Sequence, residues 1–137
     1  MKQTIRLLWV ILAFTFAVSS QTIENSSRST IAYISSAGTV ENSSRRTLGY
    51  INSNGSIEDS SRRTLGYINK SGTLEDSSRH TLGYINASGI VENASQSTIG
   101  YVNSNGTVEN RSRSTLGYAK DVDQRHAALF FFFFFKD

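Results

Sequence analysis

Cysteine is absent from this chain of 137 residues, histidine occurs twice and tryptophan once. Without Cys no disulfide braces the fold and no lipid attachment of the bacterial lipoprotein kind is available, so stability must come from packing and hydrogen bonding. The one Trp, Trp9, lies in the apolar run "LLWVILAFTFAV", which follows Lys2 and Arg6 and precedes small residues. That order is the pattern of a secretory signal peptide over residues 1–20, with cleavage fitting after Ser19 or Ser20. The run holds 12 residues, short of the about 20 that a membrane-spanning helix needs. The expectation is an exported protein, periplasmic, cell-surface or secreted.

An excess of one charge is lacking too. Removing Lys2 and Arg6 takes the formal net charge from +3 to +1, and the remaining Arg residues alternate with Glu. A nucleic-acid groove is not expected from such a balance. The remaining residues, about 117, suffice for one domain with one core.

What the chain has in abundance is repetition. Units of 17 residues begin at Thr22, Thr39, Ser56, Thr73, Ile90 and Thr107. Their third residue is always Glu, their ninth always Thr and their twelfth always Tyr. One structural unit is therefore repeated six times, through residue 119. Within a unit, "TLGYI" and "TVE" are rich in β-branched and aromatic residues, whereas "NSNG" and "NSSRR" carry turn chemistry. Two short strands per unit follow, joined by a tight turn in which Asn caps and Gly accepts positive φ.

Folding "TLGYI" back on "SIE" through a four-residue turn sets Tyr50 opposite Ile57, with Leu48 on the same face. That face is the candidate core: Tyr33, Tyr50, Tyr67, Tyr84, Tyr101 and Tyr118, with Leu48, Leu65 and Leu82. A single unit buries too little to stand alone, so the copies must pack on one another. Five complete "NxxG"-type turns leave one strand at each end, "TIEN" and "STLGYA", complementary halves able to pair and close a ring. Whether five or six petals close it stays open, and so does a β-solenoid with one 17-residue coil per unit.

The pattern of Val40 to Gly55, "VENSSRRTLGYINSNG", resembles the tandem repeat of the exported bacterial five-fold β-flower proteins, over Thr22 to Ala119 and with a Phe-rich tail as well. The resemblance implies hairpin petals arranged about an axis and implies no established biochemical activity.

Catalysis needs unlike groups converging on one site, and six near-identical units do not supply them. His80 stands where other copies have Arg or Ser, and reads as a solvated turn residue. The pairs Glu58/Asp59 and Glu75/Asp76 point to opposite strand faces, so no metal site is expected, and no cofactor either. Arg45, Arg62, Arg79 and Arg113 recur beside the Glu column as a candidate contact face. They read either as a solvated rim that limits edge pairing or as a repeated surface for an anionic glycan or a partner protein. Eight Asn-x-Ser/Thr sequons, such as those at Asn25, Asn42 and Asn86, arise from the same turn vocabulary.

Residues 120–137 break the repeat. Leu129 to Phe135 form seven large apolar residues, and the repeat strands are too short for a transmembrane barrel. The run Phe130, Phe131, Phe132, Phe133, Phe134 and Phe135 therefore packs as a plug on the ring, between subunits of a homo-oligomer, or against lipid. The expected function is a non-enzymatic structural or interaction module of the bacterial envelope. The alternative is a carbohydrate-binding module that uses the Tyr, Asn and Arg surface.

Overall fold

The computed structural model describes residues 20–135 together with Ile11 and Ala13. The signal-peptide reading thus lies outside the described residues except at those two positions and Ser20. Twelve strands follow one another: β1 (Ser20–Asn25), β2 (Thr30–Ser35), β3 (Thr39–Asn42), β4 (Thr47–Ile51), β5 (Ser56–Asp59), β6 (Thr64–Ile68), β7 (Thr73–Asp76), β8 (Thr81–Ile85), β9 (Ile90–Asn93), β10 (Thr98–Val102), β11 (Thr107–Asn110) and β12 (Thr115–Tyr118). A helix, α1 (Gln124–Phe132), ends the described chain. β1 starts one residue before the domain boundary expected at residue 21.

Each strand pairs antiparallel with its neighbours in sequence, and β1 pairs β12 through Glu24↔Tyr118 and Asn25↔Gly117. The two terminal half-units do close the ring, with six repeats around it. This all-β ring of antiparallel hairpins excludes the parallel coils of a solenoid. The five NxxG-type turns sit between units, and the sixth such position is the seam where the chain enters β1 and leaves β12.

Both connections in a unit are the same turn with different residues at its strained position. In one, the Gly55 N–H donates to the Asn52 carbonyl at 3.0 Å and Gly55 has φ +89°. In the other, the Arg62 N–H donates to the Asp59 carbonyl at 3.0 Å and Arg62 has φ +65°. Asp59 Oδ1 further accepts the amides of Ser61 and Arg63 at 2.8 and 3.0 Å, which holds that turn without glycine.

The turn geometry overturns the expected register. Because Gly55 forms a bulge after a three-residue loop, Asn52 pairs with Ser56, Ile51 with Ile57 and Tyr50 with Glu58. A slip of one residue exchanges the two faces of a strand. Gly49, Ile51 and Ile57 consequently point into the ring and are buried, whereas Tyr50 and Glu58 face outward and are half-buried. The expected Tyr core is therefore incorrect for all six Tyr: the core is the column Ile23, Val40, Ile57, Leu74, Val91 and Val108 with Ile34, Ile51, Ile85 and Val102. Leu48, Leu65 and Leu82 do pack against that cluster, partly buried. They lie at the shift in register between the two strands of one unit, as between Ile57 and Glu58, where a β-bulge re-aims a side chain from the outer to the inner face.

Helix α1 stands in the lumen. Asp123 caps it, its carboxylate accepting the amides of Arg125 and His126 at 2.8 and 3.3 Å. Ala127, Ala128 and Leu129 are fully buried. Gln124 Nε2 donates to the Val102 carbonyl at 2.9 Å, and the Arg125 guanidinium donates to the Lys70 carbonyl at 2.8 Å. Both contacts fix the start of the helix at the end of the ring that carries the NxxG-type turns.

Candidate functional site

The inner face is occupied by the chain itself. A Cβ built on Gly117 would lie 2.8 Å from Phe131, on Gly100 2.3 Å from Phe132, and on Gly83 3.0 Å from Phe133. On Gly66 it would lie 2.8 Å from Phe134 and on Gly49 2.7 Å from Phe135. Five consecutive Phe residues thus meet five successive glycines, in descending repeat order. The helix lets go at Phe132, and the amides of Phe133 and Phe134 both donate to the Leu129 carbonyl, at 3.3 and 3.0 Å. That i→i−5 closure widens the last turn, so that successive rings fan toward successive units. The remaining unit, the first in sequence, carries Ala32 in the glycine column. A spiral of rings in a closed circle leaves a step, and a cavity of about 300 Å³ lies there between Phe130, Phe131 and Phe135, with Ile31, Leu48, Leu116 and Asn42 completing its wall. The Phe run accordingly lies within the ring, with Phe130, Phe131 and Phe135 buried and Phe132, Phe133 and Phe134 partly so.

The outer face is a belt. In five of the six units the left-handed turn residue sends its guanidinium over the Tyr of the preceding unit: Arg45 over Tyr33 at 3.5 Å, Arg62 over Tyr50 at 3.4 Å, Arg79 over Tyr67 at 3.5 Å and Arg113 over Tyr101 at 3.5 Å from the ring centroid. Arg28 lies over Tyr118 at 3.3 Å, so the same contact crosses the closure seam. Each of these guanidinium groups also meets the Glu four residues before it, from 3.2 Å at Arg45–Glu41 to 3.7 Å at Arg62–Glu58 and Arg113–Glu109. The amides of Asn52 and Asn103 donate to Glu58 and Glu109 as well. Arg45, Arg62, Arg79 and Arg113 are therefore brought together as a belt, already engaged on one side by an aromatic face and on the other by a carboxylate. Their side chains remain more than half exposed.

The turn carboxylates are tuned by the same turns. Backbone N–H bonds, above all from Arg63 to Asp59 and from His80 to Asp76, hold these two carboxyls below their ordinary value. His80 is exposed, with Nδ1 3.3 Å from Asp76 Oδ2. His126, by contrast, is pushed below its ordinary value by burial against the ring, partly offset by Asp123. Among the described residues no three His, Asp or Glu side chains gather as a metal site.

Two features of this surface escaped sequence reasoning. One is the pairing of the Phe run with the glycine column, for which six Phe beside six units was an available numerical signal. The other is Gln96, the one left-handed turn residue of the series that is not Arg.

No curated protein and no solved structure matches this chain. A family model described as "5-fold beta-flower protein" matches residues 18–135. The match spans the whole ring and the Phe run, the two parts that the geometry joins, and the chain belongs to the five-fold β-flower family.

Proposed function

We propose that this chain is a non-enzymatic, exported interaction module of the bacterial envelope, a rigid ring that offers its repeated outer belt to another macromolecule. The observation that carries this reading is the belt itself, five guanidinium groups stacked on Tyr rings at 3.3–3.5 Å at five of the six repeat positions around a closed ring. Stacking and the Glu partner fix each guanidinium, so less rotamer entropy is lost when it contacts an anion. A single exposed contact of this kind is weak, and five on a rigid frame engage an extended anionic partner with avidity.

The belt bears unequally on the glycan alternative. Sugar stacking on Tyr competes with guanidinium groups already covering one ring face in five units, which favours anionic contacts through Arg over aromatic ones. The test is binding of the purified ring to arrayed anionic glycans and to acidic envelope proteins, with the Arg45, Arg62, Arg79 and Arg113 positions replaced by Gln one at a time. Affinity falling more steeply than in proportion to the Arg removed supports the module. Turnover of any substrate that one substitution abolishes would refute the non-enzymatic reading, and an empty glycan array removes the glycan partner. Export is tested separately by fractionating cells that express the chain with and without residues 1–20.

A further inference from the structure

The belt is incomplete at one unit. Tyr84 pairs across the strands with Glu92 as Tyr67 pairs with Glu75 and Tyr50 with Glu58. In those two units an Arg bridges the pair, Arg79 at 3.5 Å from the Tyr67 centroid and 3.3 Å from Glu75, and Arg62 at 3.4 and 3.7 Å from Tyr50 and Glu58. At Tyr84 the corresponding residue is Gln96, whose φ of +62° keeps the turn in the same conformation. The backbone frame is thus retained and the cation is gone. Among the described residues no guanidinium lies over Tyr84, and Glu92 has no Arg or Lys within ion-pair distance.

We infer that Tyr84 and Glu92 form a receptor for an arginine side chain supplied by a partner protein. The ligand chemistry is read from the same molecule, which fills five equivalent positions with its own guanidinium. Planarity suits the Tyr face, and the charge suits the carboxylate that the pairing sets beside it. Gln96 carries neither full charge nor a guanidinium plane, so it competes weakly for the position. Uniqueness is the functional consequence. Five units are alike, and a ring with one open position can be docked in only one rotational setting. This inference rests on the proposed interaction module, and it specifies where a partner would key in.

The probe is arginine blocked at both ends, added to the full ring while the Tyr ring signals are followed by NMR. Saturable shifts of Tyr84, larger than those of Tyr67 and larger than blocked lysine produces, are expected. Gln96→Arg should abolish them by filling the position internally. Arg79→Gln should create a second open position, transferring the response to Tyr67 as well. Equal shifts at Tyr84 and Tyr67 in the unsubstituted ring, an equal response to lysine, or an undiminished response in Gln96→Arg would each overturn the assignment. Because the probe is a free amino-acid derivative, a negative result refutes the receptor and leaves the anionic-partner reading of the other five units untouched.

Discussion

Inside the ring, glycines leave room for Phe side chains that arrive from outside the repeat; on the belt, Tyr and Glu receive an Arg encoded within the repeat. The inner contacts are apolar, largely removed from water and join five units through one segment. Those of the belt are half-exposed, local and renewed in five of the six units. Apolar burial of an aromatic side chain contributes about 1.5–3 kcal/mol, whereas an exposed cation–π contact contributes about 0.5–1 kcal/mol and an exposed ion pair less. The plug therefore carries stability, while the belt can lose one member, as at Gln96, without loss of the fold.

The largest expected effect separates the two faces directly. Ending the chain after Asp123 removes α1 and the whole Phe run, and each buried Phe lost costs about 3–5 kcal/mol against a total stability of about 5–15 kcal/mol. The truncated ring should lose its cooperative melt and bind hydrophobic dye; a melt like that of the full chain would mean that the belt alone holds the ring. A subtler insult to the same face is Gly100→Val. Its Cβ meets Phe132 at 2.3 Å and the Glu109 carbonyl at 2.6 Å, so overpacking should cost about 1–3 kcal/mol in denaturant titration.

Outer-face substitutions should cost less. Tyr67→Ala removes a half-buried ring and its guanidinium contact, for about 1–2 kcal/mol. Tyr84→Ala, with no Arg above it, should cost less than Tyr67→Ala, by about 0.5–1 kcal/mol. Equal losses in the two variants would show that stacking adds nothing to stability. Gln96→Arg should raise the melting temperature slightly.

Acidification should act most gently. His126 is held below its ordinary value of 6.5 by burial, so the unfolded chain takes up the proton first. The stability carried by the neutral ring is complete above the unfolded value and declines as the pH falls through about 6.5 toward the folded value. Asp59 and Asp76, with lowered values, add a second loss as the pH falls below the ordinary carboxylate value of 3.8. Melting curves across this range should show the first decline in the unsubstituted protein and lack it in His126→Asn.

Strand segments, both turns and the complementarity of the terminal halves were legible in the sequence, because local turn chemistry and period-two patterning specify them. The face of each strand was not. Asn52 to Gly55 reads as a four-residue loop, and only the bulge at Gly55 shifts Tyr50 from Ile57 to Glu58. That one-residue difference moved the Tyr column out of the core and turned the Arg residues from a free rim into its covering.

By itself the sequence determined that one unit is repeated, that the units are β-hairpins and that the ends complete each other, since each of these is a matter of local propensity or of identity between copies. Which side faces inward, which Phe meets which glycine and which Arg lies over which Tyr were decided by the closed ring. These are contacts between residues up to about ninety positions apart, as with Arg28 and Tyr118, and alternation along a strand marks two faces without telling which of them is dry.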